Sequence, residues 1–367
     1  MDGNANVTST QGVPTVSDNR PDSGAPLLEV RDLKTHFPLD EGTVRAVDGV
    51  SFTIRRGHTL GIVGESGCGK SVTAQSILRI VPPPGRIVSG EIIYHRRHTT
   101  KNGHGSNGHG GEELIDLTKL DPRGREIRDI RGNEIAYIFQ EPMASLSPVH
   151  TIGHQIIETI VLHQHVSREQ ARKRAIEVLG HVGMVKPSET IDRYAHQLSG
   201  GQRQRAVIAL ALSCQPSLLI ADEPTTALDV TTEAQILDLM RSLQQEFGMA
   251  IQFITHNLGV IAEMADEVVV MYLGRQVEQA SVDDLFFNPH HPYTRALLRS
   301  IPKLGQKTRD RLESIRGMVP DPFSVPKGCA FHTRCPMYLP GVCDDPEWLE
   351  VGPSHWVRCN RAMEPVS

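Results

Sequence analysis

The sequence predicts an α/β fold: a mainly parallel β-sheet covered by helices on both faces, with a helical insertion and a small cysteine-rich C-terminal module. Three observations predict it. Strand-like and helix-like stretches alternate from Leu27 to Ala280, the pattern of parallel strands joined by crossover helices. A glycine-rich loop stands between a short apolar run and a helical stretch, where a helix N-terminus can receive an anion. From about Ile301 the composition shifts towards Pro, Gly and Cys, which marks a change of architecture.

Taken in chain order, residues 1–26 are rich in Ser, Thr, Asn, Asp, Gly and Pro and have no apolar core. They read as a disordered tail and not as a secretory signal. Leu27–Val30, Ser51–Ile54 and Thr59–Val63 are short, β-branched and bounded by turn residues, so they read as strands. A helix is expected from Lys70 to Ile80, stopped by the run Pro82-Pro83-Pro84-Gly85. Residues 95–111 lack periodicity and read as a flexible hairpin tip. Metal capture there by His98, His104 and His109 would cost heavily in loop ordering.

Thr151 to Val185 carries helical spacing in Ile156, Ile157, Ile160 and Val161, then Ala175, Val178 and Val182. A helical subdomain is therefore expected at about 151–196. An apolar strand (Leu218–Ala221), a helix (Thr232–Glu246), a strand (Ala250–Ile254) and a β-pair (Glu267–Tyr272 with Arg275–Ala280) complete an α/β domain over 27–300. Residues 301–367 form the module. The core between Leu27 and Ala280 is expected to hold without it.

Bulk properties exclude several classes. Lys and Arg total 38 against 43 Asp and Glu, a net charge of −5. That balance argues against a binder driven by nucleic-acid phosphate neutralisation. No apolar run reaches the ~18–20 residues that span a bilayer; the most apolar region, Ala206 to Ala221, is cut by Cys214, Gln215 and Pro216. The chain is expected in the cytosol, with other subunits doing any spanning.

Gly64-Glu65-Ser66-Gly67-Cys68-Gly69-Lys70-Ser71 matches G-x4-G-K-[S/T] in the expected strand–loop–helix context. Glycines let backbone N–H groups turn inwards around phosphates, and the helix N-terminus adds a favourable dipole. Lys70 would put a point charge on the β- and γ-phosphates, and the Ser71 hydroxyl would be a Mg²⁺ ligand. By itself the loop says only nucleotide. Leu218-Leu219-Ile220-Ala221-Asp222-Glu223 supplies the second half: a strand delivers Asp222 at its C-terminal end, where ligands collect in open α/β sheets. Asp222 would join the Mg²⁺ shell. Glu223 points differently and is the natural general base for an attacking water, a role that accelerates reactions by ~10²–10⁴. Without the loop, the pair would be only an acidic strand end.

Leu198-Ser199-Gly200-Gly201-Gln202 is a Ser-Gly-Gly turn at a helix N-terminus, a second anion site with nothing of its own to bind. It resembles the signature of ABC ATPases. The resemblance implies a phosphate-loop NTPase domain with an antiparallel β subdomain and a helical subdomain, in which this turn faces the γ-phosphate of ATP held by an opposite subunit. Ser199, Gly200, Gly201 and Gln202 would then act across a dimer, while Gly64 to Ser71 and Val72 hold the chain's own ATP. By the same resemblance, Gln140 stands where a Q-loop glutamine contacts Mg²⁺ and the attacking water. Ala227-Leu228-Asp229 stands at the D-loop that crosses the dimer interface, and His256 matches the switch histidine on the γ-phosphate. Phe37 is the expected adenine-stacking aromatic. Cofactors so implied are ATP and Mg²⁺.

A narrower resemblance rests on Gly67–Thr73, Pro83–Ile87, Ile138–Met143, Ala221–Val230 and His291-Pro292-Tyr293-Thr294. These look like the D-type ATP-binding subunit of oligopeptide and dipeptide importers. The sequence departs in Asn257, where Asp is usual after the switch histidine, in Ala195 for Pro, and in the His-rich insertion. Asn257 is expected to weaken the positioning of His256. The implied partners are a second ATPase subunit (paralogue or self), two membrane-spanning permeases and, indirectly, a solute-binding protein, with no nucleic acid. The implied place is the cytoplasmic face of the membrane, as a peripheral subunit. A surface near Gln140, including Met143 and Leu146, would dock a permease helix.

Cys329, Cys335, Cys343 and Cys359 follow a C-x5-C-x7-C-x15-C spacing, without the C-x2-C pairs common in zinc ribbons and ferredoxins. Disulfides do not suit a reducing cytosol. So many thiols in a Pro/Gly-rich stretch with little core suggest a metal staple. Importer subunits with this tail are similar in carrying a [4Fe–4S] cluster, which favours iron. Zinc, with His332 or His355 as substitute ligands, and buried unliganded thiols remain the alternatives. An ATPase acting on DNA would need a long coiled coil between phosphate loop and signature, and one acting on ribosomes usually carries two cassettes; neither feature is present. A binding module with a dead site is at odds with intact Lys70, Asp222, Glu223 and His256, and the cysteine tail tells against an exporter. Closely similar machines carry nickel or oligosaccharides, so the solute is the open part of the reading.

Overall fold

A computed structural model describes residues 24–97, 111–141, 145–226, 228–301 and 315–364. The insertion histidines His98, His104 and His109, together with Met143 and Ala227, lie outside the described residues. Gly24 N–H donates to the Arg56 carbonyl and Pro26 opens a strand, so residues just before the expected boundary at residue 27 are already paired.

Among the described residues, twelve strands form two sheets. β1 (Pro26–Leu39), β2 (Gly42–Arg55), β4 (Arg86–Arg97) and β5 (Glu112–Asp116) make an antiparallel sheet in the order β2-β1-β4-β5. The larger sheet has the order β11-β12-β10-β9-β3-β8-β7-β6. Its members are β3 (Thr59–Val63), β6 (Ile135–Ile138), β7 (Leu218–Asp222), β8 (Ala250–Ile254), β9 (Glu267–Tyr272), β10 (Arg275–Ser281), β11 (Trp348–Gly352) and β12 (His355–Arg358). β9, β3, β8, β7 and β6 run parallel, while β10, β12 and β11 add antiparallel pairs.

β3, β7 and β8 are buried along their whole length, as central parallel strands must be when both faces are covered. Their side chains alternate between two cores, as a period of two requires. Ile62, Ile220 and Ile254 face the antiparallel sheet, with Leu28, Val50 and Ile77 packed opposite. Val63, Leu219 and Phe253 face the other core, with Ile208 and Ile261.

The helices are α1 (Lys70–Ile77), α2 (Arg125–Ile130), α3 (Ile152–Gln164), α4 (Arg168–His181), α5 (Pro187–Thr190), α6 (Gly200–Leu212), α7 (Val230–Phe247), α8 (Leu258–Met264), α9 (Val282–Phe287) and α10 (Pro292–Arg299). The helical insertion lies as expected between β6 and α6. Ile152, Ile156 and Ile160 of α3 meet Ala171, Ala175 and Leu179 of α4 in the larger core. Thr151 and Ser167 cap these helices through side-chain oxygens.

Two expectations are corrected. Leu146 is only 4% exposed and belongs to the larger core, so it is not part of a docking surface; its apolar side chain is already buried. The C-terminal residues do not stand apart from the core either. β12 pairs with β10, at Glu278 with Val357 and Gln279 with Trp356, and Ala330 and Phe331 are buried in the larger core. Long-range strand pairing of this kind leaves no local trace in sequence. No helix among the described residues is long and apolar enough to cross a membrane.

Candidate functional site

Loops at the C-terminal ends of β3, β6, β7 and β8 converge, the usual ligand face of an open parallel sheet. The β3–α1 loop turns at Gly64 (φ 154°) and Gly69 (φ 98°). A Cβ at Gly64 would lie 2.2 Å from the Met271 carbonyl oxygen, and one at Gly69 would lie 2.1 Å from that of Ala46. Only glycine satisfies both the left-handed backbone and the close approach. Ser66 and Gly67 are exposed at the tip, Cys68 is buried beneath it, and Val72 packs from α1 against the core.

Lys70 is 5% exposed and donates from Nζ to the carbonyls of Gly64 at 2.8 Å and Glu65 at 3.1 Å. Ser71 Oγ donates to Asp222 Oδ1 at 3.1 Å, which joins the loop to the end of β7. Asp222 Oδ2 accepts from Tyr137 at 2.7 Å. Burial raises the Asp222 carboxyl above the usual range, although the Tyr137 and Ser71 hydroxyls act the other way. The Ser71 hydroxyl and the Asp222 carboxylate thus converge beside the loop, and oxygen donors of this kind suit a hard cation.

Glu223 sits at φ 47°, a left-handed backbone that costs a non-glycine residue energy and is found at functional sites. Its N–H donates to the Ile254 carbonyl at 2.8 Å, which sets the carboxylate beside β8. Gln140 Nε2 donates to Glu223 Oε2 at 3.1 Å, Thr226 Oγ1 donates to the same oxygen at 3.0 Å, and His256 Nδ1 lies 3.2 Å from Oε1. Gln140 and His256 are exposed while the Glu223 side chain is mostly buried. Gln140 and His256, read separately in the sequence, therefore meet on the Glu223 carboxylate. Asn257 caps α8, with Oδ1 accepting from Gly259 N–H at 3.0 Å, a role that aspartate would fill equally.

Ser199 is the N-cap of α6 in a reciprocal capping box: its hydroxyl accepts from Gln202 N–H, and Gln202 Oε1 accepts from Ser199 N–H. Both Ser199 and Gly200 are exposed. The turn lies against α7, since a Cβ at Gly201 would come 2.9 Å from Thr232 Cγ2, and Thr232 is bonded to the α7 cap Asp229. The Ser199–Gln202 turn thus lies beside Thr232 and its bonded partner Asp229. Phe37, at the end of β1, packs over Gly85 and is half-buried.

Cys329, Cys335, Cys343 and Cys359 border one cavity, with His332 and Phe331 among the other lining residues. All four are free thiols. Burial, with the neighbouring cysteines adding to it, pushes Cys335 and Cys359 up to about 11. Among the described residues no set of three or more His, Cys, Asp or Glu side chains is drawn tightly enough to enclose a metal ion. His355 faces elsewhere, 2.8 Å from the buried Glu278, so it is not a substitute ligand.

Side chains that sequence reasoning missed include Tyr137, Thr226 and Arg334. Tyr137 carried a signal, a polar-tipped residue near the end of the strand beside β7. Arg334 carried none. It pairs with Glu65 from 269 positions away.

The ABC transporter family profile matches residues 47–226, and that of the oligopeptide/dipeptide transporter C-terminal region matches 277–343. The chain is 49% identical over 344 residues to a probable peptide ABC transporter ATP-binding protein of Sinorhizobium fredii, covering 93% of this chain and 96% of the relative. It is 47% identical to the oligopeptide transport ATP-binding protein AppD of Bacillus subtilis, covering 91% and 96%. It is 44% identical to the dipeptide transport ATP-binding protein DppD of the same organism, covering 91% and 94%. Among solved structures, the dimeric form of a bacterial ABC transporter cassette aligns with TM-score 0.58 and 26% identity, over 70% of this chain and 99% of that one. A post-hydrolysis dimer of the same cassette bound to ADP and Pi gives 0.57 and 25%, over 70% and 99%.

Proposed function

This chain belongs to the ABC transporter ATPases, and on that premise we propose that it binds and hydrolyses ATP to energise import of oligopeptides or dipeptides. The likeness in sequence, at 44–49% identity across more than nine-tenths of the chain, supports the peptide class. Convergence of Gln140, Thr226 and His256 on Glu223, one residue after the Ser71–Asp222 contact, carries the reading of the chemistry.

Lys70 leaves the carbonyls of Gly64 and Glu65 for the β- and γ-phosphates. Glu223 accepts the proton of the attacking water, Gln140 orients that water, and His256 stands against the γ-phosphate. Ser71, Asp222 and Gln140 would hold Mg²⁺, which neutralises phosphate charge. Ser199 is bonded within the turn to Gln202, and both Ser199 and Gly200 are exposed, which supports a role in a second cassette's site. Phe37 would stack on adenine. The working unit is then a pair of cassettes, of this chain or with a paralogue, on two permease subunits at the cytoplasmic face of the membrane.

We read Cys329, Cys335, Cys343 and Cys359 as ligands of a [4Fe–4S] cluster, with zinc as the alternative. Their shared cavity and the soft sulfur donors it gathers support a thiolate-bound metal. Such a group would supply a structural staple.

Glu223→Gln tests the chemistry. It keeps the shape and removes the base, so ATP should still bind while turnover falls at least ~10²-fold. Steady-state hydrolysis within a few-fold of the unmodified protein would remove Glu223 from its role.

A further inference from the structure

Glu65 sets an acidic side chain inside a loop built to receive a polyanion, and like charges at short range weaken binding. Every polar group of Glu65 is held. Its N–H donates to Tyr293 Oη at 2.9 Å, its carbonyl accepts from Lys70, and its carboxylate takes two bonds from Arg334, at 2.7 and 3.1 Å. The Arg334 side chain is only 3% exposed.

The guanidinium is fixed by more than Glu65. Nε donates to the Arg316 carbonyl at 3.1 Å, while Nη1 also reaches Tyr272 Oη and Nη2 the Ile315 carbonyl, both at 3.4 Å. It lies 5.9 Å from the ring centres of Tyr272 and Phe331. Tyr272 and Tyr293 pack on each other and on Phe331, and Phe331 and Arg334 both belong to the Cys329–Cys335 segment. A rigid fork of this kind is preorganised for a carboxylate.

We propose that Arg334 is a positioning residue for ATP binding: it neutralises and pins the Glu65 carboxylate, so that the C-terminal segment sets nucleotide affinity through the phosphate loop. This rests on Gly64–Ser71 being that loop, and the experiment separates the two claims.

MgATP affinity and steady-state kinetics would be measured on the full-length chain for Arg334→Gln, Glu65→Gln, their double variant and Lys70→Ala. Arg334→Gln should weaken ATP binding on the order of tenfold, mainly in KM, as expected for coupled neighbours. In the Glu65→Gln background the same change should alter affinity by less than about twofold, because no carboxylate is left to neutralise. This second comparison decides the matter even if the single variant folds poorly. Unchanged affinity in Arg334→Gln, or an equal loss in both backgrounds, overturns the proposal, the latter by reducing Arg334 to a packing role. Lys70→Ala with undiminished ATP binding would overturn the phosphate-loop reading itself.

Discussion

Asp222 is 3% exposed between Tyr137, Ser71 and Glu223. Its carboxyl is raised chiefly by burial, so the ionised form is disfavoured in the folded state. The sign follows: stability from this group is fully present below the unfolded value and is lost as pH rises through the folded value. At neutral pH Asp222 is a liability that the site retains for its chemistry, an exchange common at active sites. Asp222→Asn should therefore raise the melting temperature of the nucleotide-free protein by about 1–3 °C, while Mg²⁺-dependent ATP hydrolysis is lost. Differential scanning calorimetry without Mg²⁺ checks this, and a lower melting point for the variant would refute it. Asp222 and Glu223 were legible in sequence because an apolar run ended in them. Thr226 was not, since a hydroxyl on a turn has many bland uses, and Tyr137 offered only its place near a strand end.

At the scale of elements, β3, β8 and β9 have the bounds their β-branched runs predicted. β1 and β2 extend much further; their outer halves are mixed in polarity, and antiparallel pairing to each other maintains them. α1 ends at Ile77 rather than Ile80. Arg79 is left-handed at φ 56° and breaks the helix before the prolines can. The signature turn was legible as a helix cap, but its partner was not, because a cap shows only that N–H groups are available. Substituting the exposed cap Ser199 with Ala should cost about 1 kcal/mol of local stability, far too little to explain lost turnover. If the turn acts on a second subunit's ATP, Ser199→Ala should nonetheless inactivate. Mixing it with a Lys70→Ala subunit should then restore at most one composite site per pair, provided the chain pairs with itself. Hydrolysis that stays first order in protein down to fully monomeric concentrations would defeat the paired arrangement.

At the scale of the whole molecule, the ties between tail and motor include β12 on β10, the buried Glu278–His355 contact at 2.8 Å, and Arg334 on Glu65. Composition changes near Ile301 but gave no sign of this docking, because each tie joins residues far apart in the chain and β11 and β12 are short and partly polar. The consequence bears on the cysteines. Were the tail an independent appendage, changing Cys329, Cys335, Cys343 or Cys359 to Ser would loosen only residues beyond Ile301. With β12 extending the main sheet, loss of a metal at the four cysteines, if they hold one as proposed, should also expose the β10 edge and lower the melting temperature of the whole chain by at least about 2 °C. Protein purified without oxygen should be brown, absorbing broadly near roughly 400 nm and carrying about four irons per chain, and each Ser variant should bleach it. Colourless protein with one zinc would replace the cluster yet keep the staple. Protein without either metal, whose Ser variants resist protease in the tail as well as the unmodified chain does, would leave four buried thiols whose contribution is packing alone.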